Sequence, residues 1–137
     1  MSIRSSVALV TIGQSPRDDV VPDIRRRLPS AIRIIEAGAL DGLDRQAIAL
    51  LAPRDPADAL VTRLADGSQV IVGKSAVLPL LQAHLDRLTD EIGAAVILCT
   101  GAFPALRAAV PLLEPDRIMA AAVAALHRDG PVGVIAP

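Results

Sequence analysis

The chain has no tryptophan and no tyrosine, and Phe103 is its one aromatic residue. Base-stacking platforms of the kind that hold single-stranded nucleic acid have almost no material here. Nor is there an excess of charge of either sign. Fourteen basic residues face fifteen acidic ones for a net charge of -1, which removes the electrostatic footprint expected of a polyanion binder. The one basic run, Arg25-Arg26-Arg27, does not restore it. Three successive helical positions point about 100° apart, so the run reads as a solvated helix face. Cys99 is the single cysteine, which excludes an intrachain disulfide and any multi-cysteine metal site. No His-x-x-x-His pair, Asp-rich loop or paired-carboxylate spacing suggests a metal, and His84 and His127 read as structural. Long apolar runs are missing too. The N-terminal run falls short of the roughly 7–15 residues of a signal-peptide core, and no stretch approaches the roughly 18 of a membrane span. The expectation is a cytoplasmic protein with neither membrane nor nucleic acid as partner.

What remains is 137 residues of which 52% are hydrophobic, enough for one domain around a single core. With aromatics scarce, that core must be built from Leu, Ile, Val and Ala, a composition suited to sheet–helix layers. Apolar periodicity predicts a strand at 7–11 and a helix capped by Asp18 or Asp19 that runs to about Leu28, with Pro22 in its first turn. A second strand follows at 32–37, then a short helix capped by Asp44. The period then changes. Segments 59–64 and 69–72 flank Asp66-Gly67, a hairpin signal, so residues 59–73 read as an inserted β-hairpin. Ser75 opens the longest helix, whose stripe of Leu78, Leu81, Leu85, Leu88 and Ile92 predicts a single element ending at Gly93. A strand at 94–98, a Pro-rich connection over 103–115, a helix at 116–127 and a last strand at 132–136 complete the order. Strands alternating with helices imply an α/β fold with a largely parallel sheet flanked by helices on both faces.

In such a sheet, ligands bind beyond the strands' C-terminal ends. Two polar segments fall there, Thr11-Ile12-Gly13-Gln14-Ser15-Pro16-Arg17 and Cys99-Thr100-Gly101, and both should gather with residues 36–38 and Pro137 along one edge. Gly13 allows a sharp turn or a close approach. Ser15 and free amides at the next helix start suit an anion, and Arg17 suits a carboxylate or phosphate. The spacing matches neither a dinucleotide fingerprint nor a P-loop. A turn whose Arg17 pairs with Asp18 or Asp19 is the alternative reading. Cys99 is a candidate nucleophile or acid/base, or else a small core residue. A free thiol is only a few per cent ionised at pH 7, so catalysis would need Arg17 or the amides around Thr100-Gly101 to favour the thiolate. Lys74, at the hairpin's end, is a further candidate for reaching the cleft.

Five ordered motifs carry a family resemblance. They are Thr11-Ile12-Gly13-Gln14-Ser15-Pro16-Arg17, Ile35-Glu36-Ala37-Gly38-Ala39-Leu40-Asp41-Gly42-Leu43, Leu60-Val61-Thr62-Arg63-Leu64-x-Asp66-Gly67, Leu98-Cys99-Thr100-Gly101-x-Phe103-Pro104 and Gly133-Val134-Ile135-x-Pro137. Together they resemble the AroM family, whose function is unsettled and which is similar in fold to the aspartate/glutamate racemase superfamily. The resemblance implies cofactor-independent isomerase or racemase chemistry on a small carboxylic acid. Cys99 would stand as the first-lobe thiol and Gly13, Gln14, Ser15 and Arg17 as the substrate loop, with Thr100 and Gly101 positioning the ligand. It further implies that 132–137 opens a second lobe, so that one chain of this length holds an incomplete site. Proton transfer to both faces of a carbon needs two acid/base groups, and one cysteine cannot supply both. The expectations are therefore a single α/β domain, no cofactor and no metal, a small anionic carboxylate ligand, and a homo-oligomer that covers the exposed face. A non-catalytic binding module for an anionic metabolite is the competing reading.

Overall fold

A computed structural model describes residues 6–133. In chain order the elements are β1 (Ser6–Thr11), α1 (Val21–Arg27), β2 (Arg33–Gly38), α2 (Arg45–Ala49), a 3-10 turn (Pro56–Asp58), β3 (Ala59–Arg63), β4 (Gln69–Gly73), α3 (Lys74–Leu85), β5 (Ile92–Leu98), β6 (Leu112–Leu113) and α4 (Pro115–Leu126). Four strands form a parallel sheet in the order β2-β1-β5-β6, flanked by helices, and β3 and β4 form a separate antiparallel pair.

The central position of β1 follows from its composition. Five of its six residues are buried, as expected for a strand covered on both faces. Its neighbour β5 contributes buried Ala95 and Ile97, and α3 lays Val77, Leu81 and Leu85 against the same core at spacings of four. Phe103 fills the end of that core at 1% exposure. Register sets the functional edge: Thr11 is level with Gly38 on one side and with Leu98 on the other. The loops after β1, β2 and β5 therefore leave the sheet side by side.

Several boundaries differ from the sequence reading, each for a local reason. Helix α3 stops at Leu85, and the apolar stripe continues without it. Leu88 still packs on the core from a turn, whereas Ile92 pairs with Ser6 in the sheet and Gly93 lies inside β5. Sheet pairing with β1 outweighs the last turn of a helix interrupted by the poor helix formers Thr89 and Asp90. Neither Asp18 nor Asp19 caps α1, whose N-cap is Val20 without a side-chain bond. Asp44 does cap α2, accepting from the Ala47 amide at 2.8 Å. The hairpin forms where expected, but Asp66 and Gly67 sit in a three-residue loop closed by Leu64 N–H to the Ser68 carbonyl at 2.8 Å, with Gly67 at φ 85°. The Pro-rich connection contains the short strand β6, paired with β5. The basic run is turned to structural use. Arg25 donates to the Leu28, Pro29 and Ile32 carbonyls beyond α1, and Arg26 pairs with Asp23. Residues 134–137, which hold most of the expected last strand and Pro137, lie outside the described residues.

The outer helix α4 is the least covered element. Every residue from 117 to 126 is exposed, including Ile118, Met119, Val123 and Leu126. No helix among the described residues is long and apolar enough to cross a membrane.

Candidate functional site

Strand order alone locates the cleft. The chain passes from β1 to β2 on one side and later enters β5 on the other, so a crevice opens beyond the C-terminal ends of β1 and β5, at the switch point where open α/β sheets bind ligands. A cavity of about 440 Å³ lies there. The loop after β1 lines it with Ile12, Arg17 and Asp19, and the end of β5 with Leu98, Cys99 and Thr100. The hairpin supplies Val61, Thr62, Arg63 and Gln69, and the start of α4 adds Pro115.

Of the residues singled out from sequence, the structure brings Arg17, Cys99 and Thr100 to this cavity. Gly101 lies beside it and donates its amide to Cys99 Sγ at 3.3 Å, a donor placed where negative charge on sulfur would develop. Cys99 itself is half-buried. Arg17 is more engaged than its sequence position suggests. Its Nε and Nη2 donate to the two Asp19 oxygens at 2.8 Å each, and Nη1 donates to Thr11 Oγ1 at 2.8 Å. Asp19 is the main cause that holds the guanidinium above its ordinary range, with smaller attractions from Cys99 and Glu36 working against burial. In return the Arg17 hydrogen bonds bring the Asp19 carboxyl down to about 2. The Arg17 amide donates to Glu36 Oε2 at 2.7 Å, which ties the loop to β2.

Gly13, Gln14 and Ser15 build the wall rather than line the cavity. Gln14 is a three-way staple: its backbone amide donates to the Arg63 carbonyl at 3.1 Å, its side-chain oxygen accepts from the Ala65 amide at 3.0 Å, and its side-chain nitrogen reaches the Leu40 and Leu43 carbonyls at 3.3 Å. Gly13 permits this docking. A Cβ there would overlap the Arg63 carbonyl and stand 2.5 Å from Thr62 Oγ1. Ser15 gives both its amide and its hydroxyl to Asp41, at 2.7 and 2.6 Å, and Gly38 N–H joins them on the same carboxylate at 2.7 Å.

Lys74 is placed elsewhere, with Nζ 5.2 Å from the Phe103 ring centroid, a cation–π distance. His84 lies on α3 and His127 just past α4. Among the described residues no group of three or more His, Cys, Asp or Glu could hold a metal ion.

Sequence reasoning missed the hairpin's share of the cavity, namely Thr62, Arg63 and Gln69. An Arg next to a Thr ahead of an Asp-Gly turn was visible, but only the fold brings that strand over the loop after β1. No curated protein and no solved structure matches the chain. A family model described as AroM protein matches residues 7–137, and the chain belongs to the AroM family.

Proposed function

We propose that the cleft binds a small carboxylic acid and that Cys99 exchanges a proton at the carbon next to the carboxylate, an isomerase-type reaction without a cofactor. The observation that carries this reading is the half-buried thiol facing a cavity of about 440 Å³ together with the Arg17 guanidinium. In the thiolate form, sulfur takes the α-proton and becomes S–H. The electron pair left on carbon delocalises into the carboxylate, and the positive field of the cleft stabilises the added charge. Thr100 and the Gly101 amide position the ligand and the sulfur. Returning a proton to the opposite face needs a second acid. Since Cys99 is the single cysteine of these 137 residues, that acid is not another of their thiols.

Self-association belongs to the same proposal. Helices that are apolar nearly all round are ordinarily buried, and the uncovered Ile118, Met119, Val123 and Leu126 of α4 suit packing against a second copy, with Pro115 at the cleft margin.

The test is a screen of chiral small carboxylic acids by change in optical rotation, run beside Cys99→Ala. Turnover with the wild type and none with Cys99→Ala is expected. Equal turnover by both proteins excludes the mechanism. A binding module for an anionic metabolite is the second reading, favoured by the single cysteine among these 137 residues where two-sided proton transfer needs two acid/base groups. Saturable ligand binding without turnover of any bound acid would select it.

A further inference from the structure

The hairpin motif Leu60-Val61-Thr62-Arg63-Leu64-x-Asp66-Gly67 has no part in the chemistry above, yet its strands form one side of the cavity. Side chains alternate along both strands. Leu60, Thr62, Val70 and Val72 turn toward the protein, and Val61, Arg63, Gln69 and Ile71 turn outward. Arg63 and Gln69 are cross-strand partners at the end of the ladder, so both reach the rim at one level.

The two arginines that line the cavity differ in what they have left to offer. Arg17 commits three of its five N–H donors to Asp19 and Thr11. Arg63 makes no side-chain hydrogen bond or ion pair among the described residues; its guanidinium lies over the hairpin turn, with Nη2 3.1 Å from where a Cβ on Gly67 would stand, and its field reaches Asp19, whose carboxyl it helps to lower. Beside it Thr62 is 6% exposed, and its Oγ1 is buried without a hydrogen-bond partner among the described residues. Buried polar atoms rarely stay unpaired. The charged groups lining the cavity are Arg17, Asp19 and Arg63, a net of one positive charge. Before any charge on Cys99, one carboxylate matches that balance, whereas a phosphate dianion would leave a negative charge uncompensated in a partly desolvated cleft.

We propose that the hairpin is the recognition element of the cleft, with Arg63 as the anchor that takes a ligand's single carboxylate and holds its α-carbon toward Cys99. This rests on the reading of the cleft as a carboxylic-acid site and adds which guanidinium binds and what charge it selects. Swung from its place over Gly67 into the cleft, the fork of Arg63 supplies two parallel N–H donors to the carboxylate, Gln69 adds a neutral donor at the same level, and Arg17 keeps its pairing with Asp19.

The experiment is a titration of the 15N-labelled chain with lactate and, separately, with inorganic phosphate, followed by amide shifts. It compares wild type, Arg63→Gln, Arg63→Lys and a matched charge change far from the cleft, Arg26→Gln. Lactate should shift the amides of residues 62–64 and 99–101 in the wild type and bind more tightly than phosphate. Arg63→Gln should weaken lactate about 10- to 100-fold, the loss expected for a charge-assisted hydrogen bond. Arg63→Lys should recover part of the affinity, and Arg26→Gln should match the wild type. Wild-type lactate affinity in Arg63→Gln, with the Cys99 amides still shifting, overturns the anchor and leaves the carboxylic-acid cleft standing. Tighter binding of phosphate than of lactate overturns the charge selection. Lactate that moves no cleft amide in the wild type overturns both.

Discussion

Gly13→Ala isolates the contact that closes the site. The added methyl would overlap the Arg63 carbonyl and sit 2.5 Å from Thr62 Oγ1. The nearest atom is backbone, which cannot swing aside as a flexible side chain would, so the hairpin must move. Overpacking of this kind costs about 1–3 kcal/mol. Moving the hairpin also strains two hydrogen bonds, Gln14 N–H to the Arg63 carbonyl at 3.1 Å and Ala65 N–H to Gln14 Oε1 at 3.0 Å, each worth about 1 kcal/mol. With those two bonds weakened by about half, the sum is about 2–4 kcal/mol, a large part of the roughly 5–15 kcal/mol typical of a domain. Urea unfolding should show a midpoint lowered by about 1–2 M at a slope near 2 kcal/mol/M, and the Ala65 amide should lose protection from hydrogen exchange. Gly42→Ala is the control. Gly42 sits at φ 76°, and a Cβ added to it would meet nothing within 4 Å, so it should lose only the conformational term of about 1 kcal/mol. A Gly13→Ala protein within about 0.5 kcal/mol of wild type, the range of an uninvolved surface site, would refute the docking of the hairpin on the β1 loop.

Three further outcomes follow from the same contacts. Asp19 is held at about 2 in the folded chain against 3.8 ordinarily. Its contribution is therefore fully present above pH 3.8 and lost as pH falls through 2. The pair is partly solvated, so after screening the amount is about 1 kcal/mol, and Asp19→Asn should remove that slope from stability measured across acid pH. Asp41→Ala deletes the acceptor of Ser15 N–H, Ser15 O–H and Gly38 N–H. Water replaces part of this, so a loss of about 1–2 kcal/mol is expected in chemical unfolding, and a loss near zero would contradict the structural role given to Ser15. Met119→Glu with Val123→Glu should lower the association constant seen by light scattering, and a wild type that stays monomeric at all concentrations would contradict the second-copy cover of α4.

The parts legible in the sequence are those set by local pattern. Apolar runs fixed β1 and β5, the Asp-Gly turn located the hairpin, Asp44 announced its cap, and strand-end logic put Arg17 and Cys99 at one edge. The parts that escaped depend on chain segments far apart in sequence. Ser15 could not be known to spend its donors on Asp41, 26 residues away, nor Gln14 to reach Ala65, 51 residues away. The apolar stripe through Leu88 and Ile92 fits a helix and a turn-plus-strand equally well, and only pairing with β1 decides between them. Arg17 lines the cavity and makes the pairing with Asp19 that the turn reading expected. The hairpin's place over the cleft had no local signal beyond Gly13.

The central claim is proton exchange by the Cys99 sulfur, and hydrogen–deuterium exchange at the α-carbon of a bound acid measures it without presupposing the product. With a carboxylic acid that binds the cleft, in D2O, the wild-type protein should replace the α-proton with deuterium in the NMR spectrum, and Cys99→Ala should not, while both remain folded and bind the acid. Equal deuterium incorporation by the two proteins, or none by a wild type saturated with ligand, would contradict the account.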